Sequence, residues 1–177
     1  MLIRCIKVQD RAAYLADTAR VVGHVTLGNN VSVWPSAVIR GDVAPIAIGD
    51  NTNIQDNATV HCDSGHANTI GNSVTIGHNA VVHGRSIGDG TLIGMHATVL
   101  GNTTIGKRCL IAAGALVPPG LTLPDDHVLI GVPGKVIRET NVKEKQYLTW
   151  LAEHYVNLAK RYHETPEDPA LRPYGSG

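Results

Sequence analysis

Phenylalanine is absent from this 177-residue chain, which has only two Trp and five Tyr. That excludes a core packed with aromatic rings. The interior must instead be narrow and filled by Ile, Val, Ala and the 19 Gly. No apolar run approaches the ~20 residues needed to span a bilayer. Neither charge dominates: 15 Lys and Arg face 15 Asp and Glu, and the pI is near 7.1. No basic stripe therefore points to nucleic acid or an anionic membrane as partner. The three cysteines, Cys5, Cys62 and Cys109, are odd in number, widely spaced and without a CxxC pair. They exclude a disulfide framework and predict reduced thiols in a cytoplasmic protein. Met1-Leu2-Ile3-Arg4 lacks the charged-then-apolar order of a signal peptide. The length predicts one domain with a small appendage.

What is present is a period of six. Aliphatic residues recur at Leu15, Val21, Leu27, Val33 and Ile39, resume at Ile48, Ile54 and Val60, then at Ile70, Ile76 and Val82. After a one-residue deletion they continue at Ile87, Ile93, Val99, Ile105, Ile111 and Val117. A small or branched residue often follows four positions on, as at Val31, Ala37, Ala58, Val74, Ala80, Ala97 and Ala115. Neither the helical period nor simple strand alternation sustains a spacing of six. Short strands joined by tight turns do, with Gly and Asn accepting the turn geometry.

This pattern resembles the hexapeptide repeat of left-handed parallel β-helices, over roughly residues 8 to 138. The resemblance implies three hexads per triangular coil, with coils stacked about 4.8 Å apart. One register then reads 15/21/27, 33/39/48, 54/60/70, 76/82/87, 93/99/105 and 111/117. The steps from 39 to 48 and from 60 to 70 exceed a hexad at the same point of successive coils. Both loops thus leave one edge of the prism, where function concentrates. After Val117-Pro118-Pro119-Gly120 the repeat is expected to decay. Asn141 then reads as a helix N-cap with Glu144 three residues on. Val142, Leu148, Leu151, Tyr155, Leu158 and Tyr162 fall on one face of that helix, to pack along the β-helix or on a neighbour. Pro166 and Pro169 end it. The expected organisation is a mainly β chain: β-helix over 1–138, C-terminal α-helix over 139–165 and a frayed tail over 166–177.

The register places three histidines. His61 and His83 each follow the second-column residue of successive coils, so they point outward from one face about 5 Å apart. That spacing suits two ligands of one metal. His78 follows Ile76 by two, on a different part of a triangle whose side is roughly 15–20 Å. It should not reach the His61/His83 pair of its own chain. It would reach that pair on a neighbour in a closed three-fold ring. In the same way Arg40 shares the column of His61 and His83, and Asp56 that of His78. An intersubunit Arg40–Asp56 fork would fix the register of the ring. Gln55 should border the metal cleft.

The strings Arg40-Gly41-Asp42-Val43, Thr52-Asn53-Ile54-Gln55-Asp56, Val60-His61, Ile76-Gly77-His78 and His83-Gly84 together resemble the γ-class carbonic anhydrase family. The resemblance implies His61, His78 and His83 as zinc ligands, with His78 supplied by the adjacent subunit of a homotrimer. Iron or cobalt would also suit such a site. It further implies interface and near-site charges at Arg40, Asp42 and Asp56, and a pair, Gln55 and Asn53, near the metal-bound water. The implied reaction is reversible hydration of carbon dioxide, a small-molecule substrate, by metal-bound hydroxide. The chain departs from the family prototype in its loops. Val43-Ala44-Pro45-Ile46 and the segment 62–69 contain no Glu, leaving Asp63 and His66 as proton carriers, and Arg85 follows His83-Gly84 where the usual pattern has Cys. Plainer readings stand beside these. His66 and His96 also read as solvated loop and turn residues, Cys62 as inward packing, and Tyr155 and Tyr162 as the apolar face of the helix. Three other functions fit the residues: thioester hydrolysis at the same metal, hexapeptide acyl transfer with a histidine base and no metal, and a non-catalytic trimeric zinc scaffold.

Overall fold

The computed structural model of the chain describes residues 5–8, 14–165 and 167–171. Parallel two-residue strands stack in three columns. The first runs Leu15, Val33, Ile54, Ile76, Ile93, Ile111 and Leu129, each paired with the next. The second runs Val21, Ile39, Val60, Val82, Val99 and Val117. The third runs Leu27, Ile48, Ile70, Ile87, Ile105 and Leu123. This is the register that the spacing of six predicts. Apart from Leu15 and Val21 in the first described coil, these side chains are buried and form one continuous core.

The turn chemistry explains the period. Three residues after a column position the backbone turns left-handed: Asn30, Ser36, Asn51, Asn57, Ser73, Asn79, His96, Asn102, Arg108 and Asp126 have φ between 52° and 62°. Asn is enriched there because it tolerates this region better than most residues. His96 therefore occupies a turn position. One residue later the chain points inward again, so Val31, Ala37, Ala58, Val74, Ala80, Ala97 and Ala115 are buried and fill the corners. At the corner after the third column, side chains tie one coil to the next. Asp50 accepts from the Asn29 N–H at 2.7 Å, Asn72 from Asp50 at 2.8 Å, and Asp89 from Asn72 at 2.9 Å.

The corner between columns two and three departs from this rule. Strands Arg20–Leu27 and Val38–Ile48 run straight through it. The next coil crosses it by the loop 61–67. The repeat also runs further than expected. Leu123 and Leu129 keep the spacing of six, pair with Ile105 and Ile111, and are buried. Pro and Asp in the turns disguise this last coil in the sequence, although Asp126 takes the same left-handed conformation as Asn elsewhere. Strand Lys135–Glu139 then pairs antiparallel with His127–Ile130 and caps the end of the first column, which blunts an exposed sheet edge.

Helix α1 (Val142–Glu164) starts with a complete capping box. Asn141 Oδ1 accepts from the Glu144 N–H at 2.9 Å, and Glu144 accepts from the Asn141 N–H at 2.8 Å. Arg138 grips the same carboxylate with two bonds of 2.8 and 2.7 Å. The guanidinium and the cap together push the Glu144 carboxyl down to about 2. The helix packs over the outer surface of column one in its own chain. It buries Leu148, Ala152 and Ala159, and its Tyr155 and Tyr162 meet Trp34 edge-on, with ring centroids 5.5 and 5.2 Å apart. Val142, expected on that face, is 71% exposed. Close approach to the strands is made by the two alanines, which turns the seam away from Val142. Beyond Glu164, Pro169–Leu171 form a short 3-10 turn, and the rest of the expected frayed tail, 172–177, lies outside the described residues. No described helix is long and apolar enough to cross a membrane.

Asn141→Ala should lower stability by about 1 kcal/mol in thermal unfolding, as for other N-caps. Because the Glu144 pKa is depressed in the fold, its stabilisation is complete above the unfolded value near 4.5. It is lost as pH falls from there towards about 2. Glu144→Gln should flatten that part of the pH–stability curve.

Candidate metal centre

His61 and His83 are set by column two. Val60 pairs with Val82, so the residues after them leave the same face one coil apart. Their ring centroids are 5.2 Å apart at an interplanar angle of 89°. His78 lies at the corner between columns one and two, directly above Asp56 in the coil below. Among the described residues of one chain, no group of three or more His, Cys, Asp or Glu could hold a metal ion. The structure thus brings two of the three histidines together and keeps the third on another edge.

All three rings share one feature. Each has an oxygen close to Nδ1, and at His61 the two are hydrogen-bonded. His61 Nδ1 is 2.7 Å from the Arg40 carbonyl oxygen, His78 Nδ1 is 2.9 Å from Asp56 Oδ2, and His83 Nδ1 is 3.4 Å from Asp63 Oδ1. A carbonyl only accepts, so the His61 Nδ1 donates here, and in a neutral ring that leaves Nε2 as the lone-pair nitrogen. At His78 and His83 the nearby carboxylates are ion-pair neighbours of Nδ1. Neutral imidazoles fixed through Nδ1 and presenting Nε2 are the donor form that zinc takes. The donor chemistry therefore fits a zinc ion, with two nitrogens from this face and a third from outside it.

The remaining predicted residues surround this pair and His78. Arg40 Nη1 donates to Asp42 Oδ2 at 2.6 Å within the chain, and that guanidinium holds the Asp42 carboxyl below its usual range. Asp42 Oδ1 lies 3.9 Å from His61 Nε2. Gln55 is buried beneath α1. Its Oε1 accepts from the His78 N–H at 3.1 Å and its Nε2 donates to Asn53 Oδ1 at 3.1 Å. Asn53 in turn donates to Thr75 Oγ1 at 2.9 Å. The chain Thr75–Asn53–Gln55 therefore supports the main chain at His78. Cys62 points inward, its Sγ 3.4 Å from the Ala44 carbonyl, and burial pushes its thiol pKa up. It packs the core and does not face the histidines.

A cavity of about 280 Å³ adjoins His78 and Gln55. The reason is a taper in the residues that follow column one. Trp34 and Gln55 fill the space below α1, but Gly77, Gly94 and Ala112 leave it open. Leu92, Leu110, Leu151, Tyr147 and Tyr155 complete mostly apolar walls.

A family model described as bacterial transferase hexapeptide (six repeats) matches residues 86–119. The protein named "Probable carbonic anhydrase" from Methanocaldococcus jannaschii is 46% identical over 146 residues, which cover 82% of this chain and 92% of that one. The chain belongs to the γ-class carbonic anhydrase family. It is also 38% identical over 161 residues to "Gamma carbonic anhydrase 1, mitochondrial" of Arabidopsis thaliana, spanning 88% of this chain but 58% of the plant protein. Among solved structures, the product of the BC4754 gene of Bacillus cereus, described as an acetyltransferase, is 34% identical. It superposes with a TM-score of 0.86 over 90% of this chain and 92% of that one. The spacing of six placed His61 and His83 on one face and His78 on another edge, as the structure does, but did not show what stands beside their rings. The Arg40 carbonyl and Asp63 were missed as ring anchors. The shared column of Asp56 and His78 was visible in the spacing and could have given the third anchor.

His78→Ala should abolish stoichiometric zinc binding while leaving the melting temperature of the metal-free protein unchanged, because the corner backbone is held by Gln55 and the ladder. Metal content by mass spectrometry beside calorimetry checks this, and full retention of zinc would contradict it.

Proposed function

We propose that this chain is a zinc-dependent, γ-type carbonic anhydrase that catalyses the reversible hydration of carbon dioxide as a homotrimer. His61 and His83 of one chain and His78 of the next would hold the metal. The observation that carries this reading is the His61–His83 pair on one face, 5.2 Å between ring centroids, with an oxygen beside Nδ1 of each of the three rings. A histidine acting alone as a base needs no such set of three. A zinc ion held by neutral imidazoles supplies an acidified water as nucleophile near neutral pH.

The chain's own residues do the rest. Asp42, kept ionised by Arg40, offers a fixed acceptor beside His61. Asp56 and Asp63 stand beside two of the rings. Gln55 and Asn53 hold the corner that carries His78, and Gln55 lines the approach to it. In the ring, Arg40 and Asp56 would also meet across the interface and fix its register. The mostly apolar cavity beside His78 suits a small uncharged substrate. Its size favours one second reading, hydrolysis of a short-chain acyl thioester. About 280 Å³ exceeds what carbon dioxide needs and approaches the ~300–1,000 Å³ typical of larger ligands.

Stopped-flow hydration of carbon dioxide by metal-replete protein, run beside a panel of acyl thioesters, separates the readings. Chelation should remove either activity, whereas metal-independent acyl transfer would survive it. Inactive His61→Ala and inactive His78→Ala chains, mixed in equal amounts and allowed to exchange, should regain about one intact site in four by random association. No recovery after verified exchange would exclude a site shared between subunits.

A further inference from the structure

Asp63 lies on the long loop 61–67, and its carboxylate rises past the coil of His83 to the coil above. The loop is held at both ends. Cys62 is buried, and Asn68, also buried, donates to the His61 carbonyl at 2.9 Å. Between these anchors the His66 N–H bonds the Asp63 carbonyl at 3.0 Å, and the Gly65 N–H reaches the Val43 carbonyl at 3.4 Å. Asp63 Oδ1 lies 3.4 Å from His83 Nδ1. Its other oxygen sits against Gly101. A Cβ built on Gly101 would collide with Asp63 Oδ2, and the next two nearest atoms are also of the Asp63 carboxylate, Cγ at 3.3 Å and Oδ1 at 3.4 Å.

Gly101 stands one coil above the histidine, since Val82 pairs with Val99. Its φ is not in the left-handed region, so the backbone does not require glycine there. What requires it is space for the carboxylate. We infer that Asp63 is the positioning residue of the His83 metal donor, and that Gly101 is the seat that lets it reach the ring. The inference rests on the proposed metal site and names a part of it that lies two coils away from the loop's own coil. With the metal bound, Asp63 would accept the Nδ1 proton, fix the tautomer and the ring angle, and raise the basicity of Nε2. A methyl group at position 101 would collide with Oδ2 and force the carboxylate to turn.

The test is metal affinity of the assembled protein, measured with zinc against a competing chelator. Asp63→Ala should weaken binding about 10–100-fold, with the melting temperature of the metal-free protein unchanged. Asp63→Asn, which keeps an acceptor oxygen but not the charge, should lose less. Gly101→Ala should weaken binding by a similar factor, and adding it to Asp63→Ala should cost nothing more. A merely structural role for either residue would lower metal-free stability and give additive losses. If the wild type binds zinc through His61, His78 and His83 and Asp63→Ala keeps full affinity, this inference fails alone. If the wild type binds no zinc, the metal-site reading fails with it.

Discussion

Everything in this molecule depends on the hydrogen-bond spacing between parallel strands. At about 4.8 Å per coil, the backbone ladder sets equivalent positions directly above one another. Side chains one coil apart then meet whatever their separation in sequence. His61 and His83 are 22 residues apart and their rings lie 5.2 Å from one another. The same spacing lets Asp50 receive the Asn29 N–H and Asp56 reach His78. Such a rod needs no large side chains, because each coil adds only three inward aliphatics and its corner residues. That is why a chain without phenylalanine still has one unbroken core.

The ladder also explains how a surface site is kept stiff. Imidazoles on an exposed face lose rotamer freedom when they bind a metal, which weakens affinity unless the freedom has already been removed. Here the removal is local. The Arg40 carbonyl bonds Nδ1 of His61, and Asp56 and Asp63 stand 2.9 and 3.4 Å from Nδ1 of His78 and His83. The Asn53–Gln55 pair does the same for the main chain at His78. The ion pair of Arg40 with Asp42 has a different effect. It keeps a carboxylate charged beside His61, and being exposed it adds little to stability.

Much of this was legible in the chain. The column register follows from the spacing of six and the two longer steps. The sequence therefore placed His61 and His83 together and His78 apart before any coordinates. Three things were not legible, for separate reasons. Leu123 and Leu129 were missed because proline and aspartate occupied turn positions where asparagine or glycine had marked earlier corners. Val142 was misplaced because a helical wheel weights large apolar residues, while a helix lying on a flat strand face approaches closest through alanine. Asp63 was read as a proton carrier and not as a neighbour of His83, because the period places positions on coils but says nothing of how far a loop side chain climbs.

The glycines after column one carry a double constraint that links fold and chemistry. At Gly77 and Gly94 a Cβ would press on the backbone of the next coil, at 2.7 Å from Met95 N and 2.6 Å from Ala113 N. Stacking therefore demands glycine there. The same absence of side chains opens the space under α1 beside His78 and Gln55. Trp34 fills the corresponding place lower on the face and anchors Tyr155 and Tyr162 of the helix. The helix is thus pinned where the face is bulky and bridges a gap where it is not. A cleft formed in this way is as rigid as the rod and the helix that bound it. Its walls are mostly apolar, and apart from the two tyrosines its polar side chains, Gln55 and His78, belong to one corner of the rod.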